Sequence, residues 1–139
     1  MYINYSDLPD YQNLFLDYLY EFDNVSKFYP KNFREIENYN RTLEDLKNYI
    51  RPHREEVSEI IRKQYSDYKI SKQTDTNIES LKSENTFAVV TGQQVAIFGG
   101  PLYTFYKIIT TIKLCSQLKE KYDEYNFVPI FWMEGDDHD

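Results

Sequence analysis

Basic charge, cysteine, glycine and long apolar runs are all scarce in this sequence of 139 residues. Sixteen Lys and Arg stand against 23 Asp and Glu, for a formal net charge of −7. That balance argues against a nucleic-acid-binding domain, whose usual footprint is a basic face. Cys115 is the sole cysteine, so no internal disulfide can form. No window approaches the roughly 18 apolar residues of a membrane span, and Met1 to Asp7 has neither a basic n-region nor an apolar h-region. A cytoplasmic protein without a membrane partner is expected. Three of the four glycines fall between Gly92 and Gly100, which concentrates backbone freedom in one loop. Acid is locally missing as well. Between Phe87 and Lys119 there is no Asp or Glu, while Lys107, Lys113 and Lys119 give that segment +3 and leave −10 for the rest. A basic island beside a glycine loop suits an anionic small ligand, although buried α/β segments also carry few charges.

What is present is enough for a packed core. Hydrophobic residues make up 41% and aromatics 17%, which excludes global disorder, and the length suits one ordinary domain. The first 85 residues read as helical. Ser6-Asp7-Leu8-Pro9 is a helix-start signal, followed by Tyr11, Leu14, Phe15, Tyr18, Leu19 and Phe22 at helical spacing, with a break at Tyr29-Pro30. A second helix is predicted from about Phe33 to Ile50, on a stripe of Ile36, Leu43, Leu46 and Ile50. A third is predicted from His53 to Tyr65, with Pro52 at its first position. A short fourth follows from about Thr74 to Lys82, after a polar turn at Ser66 to Lys72.

At Phe87 the pattern changes. Phe87-Ala88-Val89-Val90-Thr91 is a continuous apolar run, as in a strand buried on both faces of a parallel sheet. Leu102 to Tyr122 is predicted helical, with Leu102, Phe105, Ile108, Ile109, Ile112, Cys115 and Leu118 on its buried face. Phe127 to Trp132 is a second strand. The expected class is α/β: a helical region over 1–85, then over 86–139 a βαβ unit with a parallel pair of strands.

Two places carry candidate chemistry. Open α/β folds bind ligands at the carboxyl ends of their strands, and there the first strand meets the loop Thr91 to Pro101. Glycines permit close backbone approach, free N–H groups at a helix start attract anions, and Thr91, Gln93 and Gln94 supply donors and acceptors. This is neither a Walker A loop nor a Gly-x-Gly-x-x-Gly fingerprint, so the ligand class stays "anionic or nucleotide-like". The second place is Glu134-Gly135-Asp136-Asp137-His138-Asp139 after the second strand. These groups suit orienting an amine, acting as general base, or holding a divalent metal; a solvated acidic tail reads the same way. Cys115, on an apolar helix face, is a core residue rather than a reactive thiol, and Trp132 is expected to pack.

Three stretches resemble a known family. Val-Val-Thr-Gly-Gln-Gln at 89–94, Phe-Gly-Gly-Pro-Leu-Tyr-Thr-Phe-Tyr-Lys at 98–107 and Pro-Ile-Phe-Trp-Met-Glu-Gly-Asp-Asp-His-Asp at 129–139 closely resemble the bacillithiol biosynthesis cysteine-adding enzymes, the BshC family. The departures are local, at Val95-Ala96-Ile97 and at Gly135-Asp136. The resemblance implies a Rossmann-like core and, in the much longer full-length form, a coiled coil. It implies ligation of L-cysteine to the amine of glucosaminyl malate. Thr91, Gly92, Gln93, Gln94, Gly100, Pro101, Tyr103 and Lys107 would then line the substrate or nucleotide pocket, and Asp137, His138 and Asp139 would be catalytic. No metal site is assigned. The cofactor is left unknown, with a nucleotide such as ATP or ADP open as activator, and the resemblance leaves room for a homodimer in the full-length form. The present chain is expected to be an inactive fragment. A non-catalytic nucleotide- or sugar-phosphate-binding module is the rival reading.

Overall fold

The computed structural model describes residues 3–29, 31–49 and 51–135. The expected chain break at Pro30 and helix end at Ile50 lie outside the described residues, as do Asp136, Asp137, His138 and Asp139. The chain divides into two compact units, Met1–Asn48 and Tyr49–Asp139.

The first unit holds two α-helices, α1 (Asn13–Tyr20) and α2 (Tyr39–Lys47), with short 3₁₀ turns at Tyr5–Asp7, Phe22–Asn24 and Ile36–Asn38. Both α-helices are shorter than the sequence periodicity predicts. Ser6 and Asp7 sit in a 3₁₀ turn capped by the Asn4 side chain, not at the start of α1. Aromatic contacts carry much of the packing: Tyr5, Tyr11 and Phe15 meet at 5.0–5.4 Å, and Tyr18 stacks on Phe33 at 5.0 Å. Such pairs contribute beyond their buried area. Val25 and Leu43 are the buried aliphatic anchors.

The second unit runs α3 (Arg54–Gln64), α4 (Lys72–Ser80), β1 (Thr86–Gln94), α5 (Leu102–Lys121) and β2 (Asn126–Glu134). Helix α3 begins two residues after Pro52, because His53 takes a left-handed conformation at its N-cap (φ 69°); Pro52 is therefore not its first helical residue. Helix α4 starts earlier than predicted, since Ser71 rather than a residue near Thr74 caps it: the Ser71 side chain accepts from the Thr74 N–H at 3.0 Å. Two arginines tie α3 and its lead-in to the segment before β1. Arg54 donates to the carbonyls of Leu81 and Ser83, both at 2.7 Å, and of Thr86 at 3.1 Å. Arg51 donates to Glu84 O at 3.0 Å and lies over the Phe87 ring at 4.9 Å. The buried Ser58 hydroxyl donates to Ile78 O at 2.8 Å and joins α3 to α4.

Strands β1 and β2 pair in parallel, in a register running from Thr86 opposite Asn126 to Gln94 opposite Glu134. Helix α5 connects them and packs on both, which is a βαβ unit. At the turn into β2, Lys119 Nζ donates to the carbonyls of Asp123 (2.6 Å) and Tyr125 (2.9 Å). Phe87, Val128, Cys115, Leu118, Tyr122 and Tyr125 form the core. Burial pushes the Cys115 thiol up to about 11, in keeping with a packing role.

Two expectations change here. Strand β1 does not stop at Thr91. It continues through Gly92, Gln93 and Gln94, and Val95 N–H still donates to Glu134 O at 3.3 Å. The buried face of α5 also differs. Thr104, Thr111, Cys115 and Leu118 are buried, whereas Leu102, Phe105, Ile109 and Ile112 are exposed. Small side chains let the helix approach the sheet closely, so the bulky stripe is turned outward.

Candidate active site

The carboxyl end of β1 gathers several of the polar groups that the sequence singles out. Gln93 lies on the strand and Tyr103 and Lys107 on the first turns of α5, one helical turn apart. Lys107 Nζ donates to Gln93 Oε1 at 2.8 Å and to the Gly92 carbonyl at 3.2 Å. Gln93 Nε2 in turn donates to the Tyr103 hydroxyl at 2.9 Å, and Lys107 Nζ lies 5.2 Å from the centroid of the Tyr103 ring. The amide of Gln93 thus bridges a cation and a phenol. An ammonium has three donors, and neutral oxygens take two of them here. No carboxylate forms an ion pair with Lys107 among the described residues. The positive charge is fixed in place, half-buried, and has no counter-ion among the described residues. Such a group has the charge to hold a carboxylate or phosphate.

Gly92 is required by the register. It lies opposite Trp132, and a Cβ at position 92 would come 2.7 Å from the Trp132 carbonyl oxygen. Close strand approach thereby sets where the Gly92 carbonyl meets Lys107. Gly100 and Pro101 act through the backbone. Gly100 has φ 78°, which favours glycine, and Pro101 is the N-cap of α5 without a side-chain cap bond. Between them and β1, the Phe98 side chain projects wholly into solvent at 99% exposure. Thr91 is half-buried opposite Phe131, and Gln94 ends the strand opposite Glu134.

One residue escapes the sequence reading. Thr104, in the first turn of α5, is buried with its hydroxyl unpartnered among the described residues; a threonine three residues after Pro101 gives no signal of which way it faces. Glu134 accepts from Trp132 Nε1 at 3.1 Å and brings a carboxylate to the end of β2. Trp132 itself does not pack as expected; it is exposed. The positions of Asp137, His138 and Asp139 lie outside the described residues, which end one residue after β2. Among the described residues no group of three metal-ligating side chains occurs, and no helix is long and apolar enough to cross a membrane.

A parallel strand–helix–strand unit with its polar cluster at the strands' carboxyl end defines a Rossmann-like α/β domain. Comparison with known proteins makes this specific. The sequence model described as "Bacillithiol biosynthesis BshC, N-terminal Rossmann-like domain" matches residues 1–139, and the chain belongs to that family. A protein of Christiangramia forsetii named "Putative cysteine ligase BshC" is 47% identical over 138 residues, covering 99% of this chain and 26% of its own length. Proteins of the same name from Flavobacterium psychrophilum and Chlorobaculum tepidum are 40% and 37% identical, covering 99% and 93% of this chain and 26% and 23% of theirs. The chain thus spans about a quarter of the length of the curated relatives it matches.

Proposed function

We propose that this chain supplies the first βαβ unit of a cytoplasmic cysteine ligase that joins L-cysteine to the amine of glucosaminyl malate. The observation that carries the reading is the Lys107 ammonium, held by Gln93 and Gly92 at the end of β1 with no carboxylate partner among the described residues, in a chain whose family belongs to bacillithiol biosynthesis. Lys107 binds a substrate carboxylate or an activator's phosphate. Thr91, Gln93, Gln94 and Tyr103 read uncharged polar groups beside it, and Gly100 and Pro101 shape the start of α5. In the bond-forming step the amine nitrogen attacks the activated carboxyl carbon of cysteine, the activating group leaves, and the nitrogen gives up a proton. His138, oriented by Asp137 or Asp139, is the group that takes it.

The test is a chimera of these 139 residues followed by the remaining three-quarters of the Christiangramia relative. With L-cysteine, glucosaminyl malate and ATP, mass spectrometry follows formation of the amide. Gln93→Ala, Lys107→Met and His138→Ala each lower turnover, His138→Ala by about 10²-fold or more, as for a lost general base. Unchanged turnover in all three overturns the site. A chimera that folds and binds a nucleotide in calorimetry, yet forms no amide, favours a binding module instead.

A further inference from the structure

Helix α5 turns one face, of Thr104, Thr111, Cys115 and Leu118, inward and leaves a bulkier apolar face outside. Thr104, Thr111, Cys115 and Leu118 recur at three-, four- and seven-residue spacing and are buried. Roughly half a turn around the helix, Leu102, Phe105, Tyr106, Ile109 and Ile112 follow the same spacing and are exposed, Leu102 at 67% and Ile109 at 59%. Five large side chains exceed the scattered apolar exposure that is ordinary on a surface and form a continuous patch, the mark of an interaction site. The i, i+3, i+4, i+7 pattern is the ridge that another helix packs against.

We propose that this outward face of α5 is covered by a helix from the part of the family's chain that lies outside these residues, an apolar helix flanked by carboxylates. Two observations choose that occupant. The matched relatives are about four times as long as the segment they share with this chain, so ample polypeptide is available. The charge on α5 is one-sided: no Asp or Glu occurs before Glu120, and Lys113, on the outward side, has no ion pair among the described residues. A second copy of α5 would bring lysine to lysine with no compensating acid. A helix with acidic flanks complements it.

Thiol accessibility tests this without reference to catalysis. Ile109→Cys is made in the 139-residue chain and in the chimera with the Christiangramia remainder, and native alkylation is read peptide by peptide, with buried Cys115 as the internal check on folding. The introduced thiol is expected to label freely in the chain alone and about 10-fold or more slowly in the chimera, as for a thiol reached only through local opening. Should the chimera fail to fold, the separately expressed remainder added in trans gives the same reading. Equal labelling with and without the remainder overturns the proposal. Protection already present in the chain alone also overturns it, because the cover is then another part of this chain or, if protection grows with concentration, a second copy.

Discussion

Lys107 owes its place to three neighbours of different kinds: a strand carbonyl, a side-chain amide and an aromatic ring. Lys107→Met keeps the stem and removes the donors, leaving Gln93 Oε1 without its partner. A charge-assisted bond of this sort contributes about 1.5–3 kcal/mol, so the variant should melt earlier in a thermal scan; an unchanged midpoint would mean that the network contributes no stability. Gly92→Ala has a steric consequence instead. The added methyl meets the Trp132 backbone oxygen at 2.7 Å, and since backbone cannot rotate away, a loss of about 1–3 kcal/mol in denaturant unfolding is expected. Cys115 gives a pH signature. Its thiol is raised from 9.0 to about 11 by burial, so the folded state keeps a proton that the unfolded state releases over that interval. Its contribution is complete below about pH 9 and is lost as the pH rises through about 11. Cys115→Ala should flatten the fall in stability across that window relative to the parent chain, and parallel curves would refute the assignment.

At the scale of elements, β1 was the hardest to delimit. Its apolar run ends at Thr91, and Thr-Gly-Gln-Gln has the composition of a loop. The strand continues because β2 offers a matching ladder as far as Glu134, and pairing overrides local preference. The consequence reaches the site: Gln93 is fixed on a strand, not carried by a mobile loop. Helix α5 was legible in position and length, since Leu102 and Lys121 fall where periodicity predicts, but not in orientation. With apolar residues on two sides, nothing in the sequence says which side the sheet takes. Arg54 was not legible at all as a structural residue, because its role depends on carbonyls at Leu81, Ser83 and Thr86, far along the chain. Burial lowers its pKa, a cost that the hydrogen bonds offset. Arg54→Ala should therefore destabilise the second unit by about 2–3 kcal/mol, and Arg54→Lys should restore only part of that, because an ammonium lacks the planar fork. Full recovery by lysine, read in chemical denaturation, would show that charge alone suffices.

On the scale of the whole molecule, the two-stranded sheet leaves the outer edge of each strand unpaired within the sheet and a bulky helix face uncovered. Unpaired strand edges recruit further strands. The 139-residue chain by itself should form no amide from cysteine and glucosaminyl malate, while the chimera should do so; amide formation by the chain alone would place the entire active site within residues 1–139.

Local chemistry wrote the parts list into the sequence: α3 between its turn signals, α5 between Pro101 and the lysines that close it, the apolar starts of both strands, and a polar cluster around Gln93 with a lysine one helix away. The three motif stretches also carried the family. What the sequence left open were contacts between distant residues. Only the parallel register sets Gly92 against Trp132, only the packing of α5 turns Thr104 and Thr111 inward, and only that packing brings Lys107 to the end of β1. Periodicity reports that a face is apolar; which of two apolar faces is buried depends on the shape of the surface it meets, and that surface exists only once the strands have paired.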